Sequence, residues 1–137
     1  MKKLVFCLIS FFLLLTVTCA CSKDKAAILF NRDKITVDNV MNYSFKFKPN
    51  ERIYYLVIIP KKIKTRSIEI QIIKKDNDYL RLGYTLYWSY SAYLKDDQMY
   101  YYDDYVVISE PGAYVMKVFS KDDPTKTLCM SQFFVEK

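Results

Sequence analysis

The chain has 137 residues, of which 52% are hydrophobic, 26% charged and only 2 glycine; these proportions fit one small globular domain and exclude a disordered or collagen-like chain. There is no histidine, which removes the commonest general base, the Ser-His and Cys-His nucleophile pairs and the usual zinc ligands together. The formal charge of +6 is mildly basic, and loss of the segment carrying Lys2 and Lys3 leaves 19 basic against 15 acidic side chains, a charge of +4.

The chain opens with Met1-Lys2-Lys3 and continues with the apolar run Leu4 to Val17, whose only polar members are Ser10 and Thr16. Fourteen helical residues rise about 21 Å, short of the ~30 Å hydrocarbon layer, and no stop-transfer pattern follows. The segment therefore reads as an export signal helix, residues 1–20, and not as a permanent span. The run ends in Val17-Thr18-Cys19-Ala20-Cys21-Ser22-Lys23, small residues before a cysteine and polar chain after it.

That pattern resembles a bacterial lipobox. The resemblance implies cleavage before a cysteine whose thiol carries a diacylglycerol thioether and whose freed amine is acylated. Cys21, preceded by Ala20, is the better match and Cys19 the second; ordinary cleavage after Ala20 with Cys21 left as a thiol is the competing reading. Lipidation matters because each buried methylene contributes ~0.8 kcal/mol, so two or three chains anchor stably where one holds marginally. The tether, residues 21–26, reaches less than about 20 Å even when extended, which keeps the domain at its membrane. Of the four cysteines, Cys7 and Cys19 leave with the signal and Cys21 takes the lipid, so Cys129 stands alone and no intramolecular disulfide is expected. Stability then depends on a packed core.

Residues 27–137 carry a period of two in Ile, Val, Tyr and Phe, the pattern of strands. A short leading strand is predicted near Ile28 or Ile35. Tyr43, Phe45 and Phe47 alternate with polar residues, as half-buried antiparallel strands do. Ile53 to Ile59 is a continuous apolar run between prolines, the signature of a central strand, and Ile68, Ile70 and Ile72 mark the next. Further strands are predicted over Tyr84 to Tyr93, Tyr100 to Ser109, Ala113 to Ser120 and Leu128 to Glu136, seven to nine in all. Asp76-Asn77-Asp78, Lys95-Asp96-Asp97, Glu110-Pro111-Gly112 and Lys121-Asp122-Asp123-Pro124 supply turns between them. Short strands broken every ten residues or so indicate an all-β sandwich or barrel. Glu110-Pro111-Gly112-Ala113-Tyr114-Val115-Met116-Lys117-Val118 resembles the tyrosine-corner strand of immunoglobulin-like domains. The resemblance implies an antiparallel immunoglobulin-like β-sandwich in which the Tyr114 hydroxyl bonds upstream backbone and Met116 points into the core.

Three sets of residues are candidates for function. In the strand over Tyr84 to Tyr93, Tyr84, Leu86, Trp88, Tyr90 and Ala92 are expected on the core face, while Tyr87 and Tyr93 stand on a hydroxyl-rich outer face able to stack on a sugar or a partner side chain; cross-strand packing in a tyrosine-rich chain is the plainer reading. Asp76/Asp78, Asp96/Asp97, Asp103/Asp104 and Asp122/Asp123 fall in or near predicted turns, where converging carboxylates could hold Ca²⁺; solvated turn acids are the plainer reading. Lys61, Lys62, Lys64 and Arg66, with Lys74-Lys75 further on, could press an anchored domain onto anionic headgroups or simply blunt a sheet edge. Cys129 has no histidine to activate it, and no Gly-rich phosphate loop is present. No catalytic residue, cofactor or metal is assigned.

The expected protein is thus a non-catalytic lipoprotein of the bacterial cell envelope, anchored to a membrane and binding a protein or glycan partner. Nucleic acid is a poor partner for an exported chain. A structural envelope lipoprotein without a soluble ligand, or a Ca²⁺-dependent adhesion or inhibitor module, are the alternatives.

Overall fold

A computed structural model of the chain describes residues 25–75, 84–94 and 101–137. The apolar run expected to be an export signal, Cys19, Cys21, Asp76, Asp78, Asp96, Asp97 and Tyr100 lie outside the described residues. Eight strands occur among those described: β1 (Ala27–Asn31), β2 (Lys46–Phe47), β3 (Arg52–Ile58), β4 (Ser67–Lys75), β5 (Tyr84–Tyr93), β6 (Tyr101–Val107), β7 (Gly112–Ser120) and β8 (Thr127–Val135). They form two sheets, β1-β3-β6 and β2-β8-β7-β4-β5, giving an all-β, sandwich-like domain. No helix among the described residues is long and apolar enough to cross a membrane.

Alternation explains the layers. Ile53, Tyr55 and Val57 of β3, Ile68, Ile70 and Ile72 of β4, Tyr114, Met116 and Val118 of β7, and Phe133 and Val135 of β8 are buried in one core, as side chains of period two on facing sheets must be. Phe30 of β1 meets Phe133 of β8 at 4.9 Å, and Tyr114 stacks on Phe133 at 5.6 Å, so aromatic rings join the sheets. The Tyr114 hydroxyl donates to the Glu110 carbonyl at 2.7 Å, pinning the β6–β7 turn to the core, and Met116 is fully buried.

The pairing departs from the expected antiparallel pattern at one place: β2 runs parallel to β8, with Lys46 opposite Phe134 and Phe47 opposite Val135. The strand predicted from Tyr43 shrinks to those two residues because the segment crosses between sheets. The Ser44 amide donates to the Phe30 carbonyl of β1 at 2.9 Å, whereas the Phe45 carbonyl accepts from the Phe134 amide of β8 at 2.7 Å. A chain changing partners this quickly buries Phe47 but leaves Tyr43 and Phe45 exposed. Ile28 lies in β1, while Ile35 lies in the long β1–β2 connection.

A bulge between Ile72 and Ile73 of β4 sets Leu86 opposite Ile73 and Trp88 opposite Ile72, leaving Tyr87 as the additional residue on β5. The alternation predicted for β5 therefore fails on the near side of the bulge, where Leu86, expected in the core, is exposed; Trp88, Tyr90 and Ala92 keep the face of Ile72, Ile70 and Ile68, but on this edge strand Tyr90 is exposed and of the residues expected in the core only Ala92 is buried.

Candidate functional site

The bulge separates the two tyrosines expected to share an outer face, turning Tyr87 while Tyr93 keeps its place. Tyr87 sets its ring edge-on against the buried Tyr114 at 5.4 Å. Tyr93, opposite Ser67 at the other end of β5, is 66% exposed. Six residues of strand, about 20 Å, separate them, so they form no common patch. Tyr90 stacks on Trp88 at 5.7 Å.

Of the acidic pairs, Asp103/Asp104 and Asp122/Asp123 lie among the described residues, and these do not converge. Asp103 and Asp104 lie within β6, not in a turn. Asp104 accepts from the Tyr102 hydroxyl at 3.2 Å and from the Tyr105 amide at 2.8 Å. Asp122 accepts from Thr65 Oγ1 at 3.0 Å and from the Arg66 amide at 3.3 Å, and Asp123 accepts from Thr125 Oγ1 at 2.6 Å. Each of these three acids serves local backbone or hydroxyl groups, and no cluster of three metal-ligating side chains occurs among the described residues. Cys129 is half-buried against the core; burial pushes its thiol up to about 12, which leaves little thiolate for nucleophilic chemistry near neutral pH.

The basic stretch falls on the connection between β3 and β4. Lys61–Ile63 form a single 3₁₀ turn, and Lys64 ends it in the left-handed region at φ 54°. Thr65, hydrogen-bonded to Ser120 in the interior, ties this connection to the β7–β8 hairpin, and the Lys121 amide donates to the Ser67 carbonyl at 2.8 Å. The chain enters at the same end, since Lys25 and Ala26 share a depression of about 320 Å³ with Lys62, Ile63, Lys126, Thr127 and Leu128.

The feature that sequence reading misses is an apolar groove of about 530 Å³ on the outer face of the smaller sheet. Its floor is Leu56 and Ile58 of β3 beside Asp103 and Tyr101 of β6, which pair directly across the ladder. Its wall is the β1–β2 connection, contributing Ile35, Thr36, Val37 and Val40. Two asparagines hold that wall. Asn31, buried at the end of β1, donates through its side chain to the Asn39 carbonyl at 3.1 Å and accepts from the Asp33 amide at 3.2 Å. Asn39 in turn accepts from the Thr36 amide at 2.8 Å and donates to the Lys34 carbonyl at 2.9 Å. Val37 is thereby presented 92% exposed at the rim. Asp103 is the single charged residue lining the groove and also borders a neighbouring depression with Lys34, Arg52, Tyr54, Asp104 and Tyr105, where the Arg52 guanidinium lies 4.9 Å over the Tyr105 ring. Apolar walls with one or two placed polar groups suit binding rather than chemistry.

No protein-family model matches the chain, and no curated protein matches it by sequence. Among solved structures, the soluble domain of PmoD from Methylocystis sp. ATCC 49242 (Rockwell) is similar, with a TM-score of 0.51 and 13% identity, over 84% of this chain and 94% of that one. At that identity the likeness is one of fold.

Proposed function

We propose that the protein is an exported lipoprotein of the bacterial cell envelope, held through lipid on Cys21 with Cys19 as second candidate, whose domain is a non-catalytic binding module. The lipobox-like run after the apolar segment supports the anchor. The strand order β1-β3-β6 over β2-β8-β7-β4-β5, together with the Tyr114 hydroxyl bond to Glu110, supports an immunoglobulin-like assignment of the sandwich. The observation that carries the binding role is the groove over Leu56, Ile58, Tyr101 and Asp103. Its lining favours a protein partner over a glycan. Thr36, Asp103 and the Tyr101 hydroxyl are the polar groups of its lining, few against the hydroxyls of a sugar, whereas an apolar side chain beside a lysine or arginine would match both the walls and the carboxylate.

The test uses the lipidated chain in intact cells, with a photo-crosslinking residue at Val37. A discrete adduct, abolished by Leu56→Asp while the protein level stays unchanged, is the expected result. An adduct that survives Leu56→Asp would remove the groove from the account. Fatty-acid labelling that is lost in Cys21→Ser checks the anchor separately.

One observation favours a second reading, self-assembly of a structural envelope component. β5 is an edge of the larger sheet and exposes Leu86, Tyr90 and Tyr93, an arrangement that templates pairing with another chain. Sedimentation of the detergent-solubilised protein as an oligomer that Tyr90→Lys dissociates would establish it.

A further inference from the structure

We infer that the apolar groove and the charged depression beside it form one site for an extended segment of the partner protein, a segment carrying an apolar side chain and, two residues along, a carboxylate; the inference rests on the binding role proposed above and adds a second contact to it. Register is the first argument. Arg52, Tyr54, Leu56 and Ile58 alternate along the outer face of β3, with Val107, Tyr105, Asp103 and Tyr101 of β6 opposite them in turn. Leu56 and Ile58 floor the groove, Arg52, Tyr54 and Tyr105 line a depression of about 360 Å³, and Asp103 borders both. The two parts are adjoining stretches of one sheet face. An extended segment lying along β3 presents every second side chain to that face, at steps of about 7 Å like those of the strand beneath it. An anchor seated over Leu56 therefore puts the next such side chain over Tyr54 and Tyr105.

Charge is the second. Lys34 and Arg52 line the depression, and neither has an ion pair among the described residues, unlike Arg32, Lys46 and Lys74, which are paired with Glu51, Glu136 and Glu110. The Arg52 guanidinium lies 4.9 Å over the Tyr105 ring, and because Tyr105 stands opposite Tyr54 the cation leans toward Leu56 and the groove. Of the two acids at the depression, Asp104 accepts from the Tyr102 hydroxyl and the Tyr105 amide. Asp103 lies at the groove, opposite Leu56. The face thus offers a carboxylate beside the apolar floor and two cations one step beyond it. A partner with a basic residue next to its anchor and an acid two residues along matches that order in one direction only, and such complementarity fixes register.

Preorganisation is the third. Lys34 belongs to the connection that walls the groove, and the Asn39 side chain that braces this wall donates to the Lys34 carbonyl at 2.9 Å. The buried Asn31 side chain accepts from the neighbouring Asp33 amide at 3.2 Å. The same two asparagines hold the apolar wall and the backbone of the cation, so little ordering is left to be done when the partner arrives.

The experiment pans a display library of random peptides on the full chain, extracted from membranes in detergent and immobilised, with thermal unfolding confirming that each variant is folded. The expected consensus is an apolar residue followed two positions later by an aspartate or glutamate. That acid should give way to a lysine or arginine when the library is panned on Lys34→Glu combined with Arg52→Glu. A synthetic peptide of the parent consensus should bind Lys34→Gln about threefold more weakly and should not bind Leu56→Asp. Enriched peptides that need Leu56 but carry no acid, or that bind the charge variants as well as the parent, would overturn this inference and leave the groove itself standing. A library yielding no peptide that distinguishes the parent from Leu56→Asp would overturn both. A Val37 crosslink joining two copies of the chain would give the groove to a second copy and would also end the inference.

Discussion

Replacing Tyr55 with phenylalanine should make the protein more stable, although Tyr55 is wholly buried at the centre of the smaller sheet. Its hydroxyl is buried and has no hydrogen-bond partner among the described residues. A hydroxyl in that state costs about 1–3 kcal/mol relative to water. The phenylalanine ring keeps the contacts of the tyrosine ring, including the tilted packing on Tyr102 at 6.4 Å, and gives up only the few contacts of one oxygen, each ~0.1–0.2 kcal/mol. The balance favours the variant by about 1 kcal/mol, or about 4 °C in Tm for a domain of this size. Tyr102→Phe is the internal control of opposite sign, because the Tyr102 hydroxyl does have a partner, the Asp104 carboxylate at 3.2 Å, and its loss should cost about 1 kcal/mol. Both substitutions are read by thermal unfolding followed by circular dichroism. A Tyr55→Phe variant that melts 2 °C or more below the parent would show that the hydroxyl is satisfied and would refute the reasoning.

Tyr114→Phe removes the bond to the Glu110 carbonyl and should lower stability by about 1–2 kcal/mol, measured by urea unfolding. Asn39→Ala removes both side-chain bonds that hold the groove wall; limited proteolysis should cut between residues 33 and 42 many times faster while the melting temperature falls only slightly, because the wall adds little to the core. Burial raises the Tyr55 and Tyr102 hydroxyls above 10 and the Cys129 thiol from 9.0 to about 12. All three are neutral in the folded state at a pH where the unfolded chain has begun to ionise. Their contribution is therefore complete below about pH 9 and is lost as pH rises through the folded values, at up to about 1.4 kcal/mol per pH unit for each group. Denaturant titrations from pH 8 to 11 should show stability falling on this alkaline limb, less steeply in Cys129→Ala. Iodoacetamide at pH 8 should modify Cys129 about 10²–10³-fold more slowly in the folded than in the unfolded protein.

Strand identity is legible in the sequence wherever each residue has one partner on each side and one face in the core. Ile68, Ile70 and Ile72 announce β4, and Tyr114, Met116 and Val118 announce β7, because burial on one face imposes the period directly. What fails is decided by tertiary pairing. Tyr43, Phe45 and Phe47 have the same alternation as a strand, yet the Ser44 amide bonds to β1 of one sheet and the Phe45 carbonyl to β8 of the other, and no periodicity records which neighbour takes a backbone group. Tyr87 is lost for a similar reason. One additional residue on β5 opposite the Ile72–Ile73 step reverses the faces that alternation assigns from Tyr87 back to the start of the strand, while Trp88, Tyr90 and Ala92 keep theirs opposite Ile72, Ile70 and Ile68, and the placement of that insertion depends on β4, a dozen or more residues earlier in the chain.

The groove shows how such a failure bears on function. Ile53 to Ile59 is apolar at every position, a pattern ordinarily assigned to a strand covered on both sides. In the fold only Ile53, Tyr55, Val57 and Ile59 are buried; Ile58 on the other face is 38% exposed. The run carries more apolar surface than the core requires, and the surplus on its outer side is what Ile35, Val37 and Val40 partly roof over. A fold that needed only stability would place polar residues at Leu56 and Ile58, as the same sheet does with Asp103 across the ladder, because exposed apolar side chains gain nothing from folding and favour association. Leu56→Thr with Ile58→Thr, substitutions of high strand propensity, should therefore leave Tm within about 3 °C of the parent while removing the Val37 crosslink. A large loss of stability in that variant would show that the face belongs to the core, and the case for a binding groove would end with it.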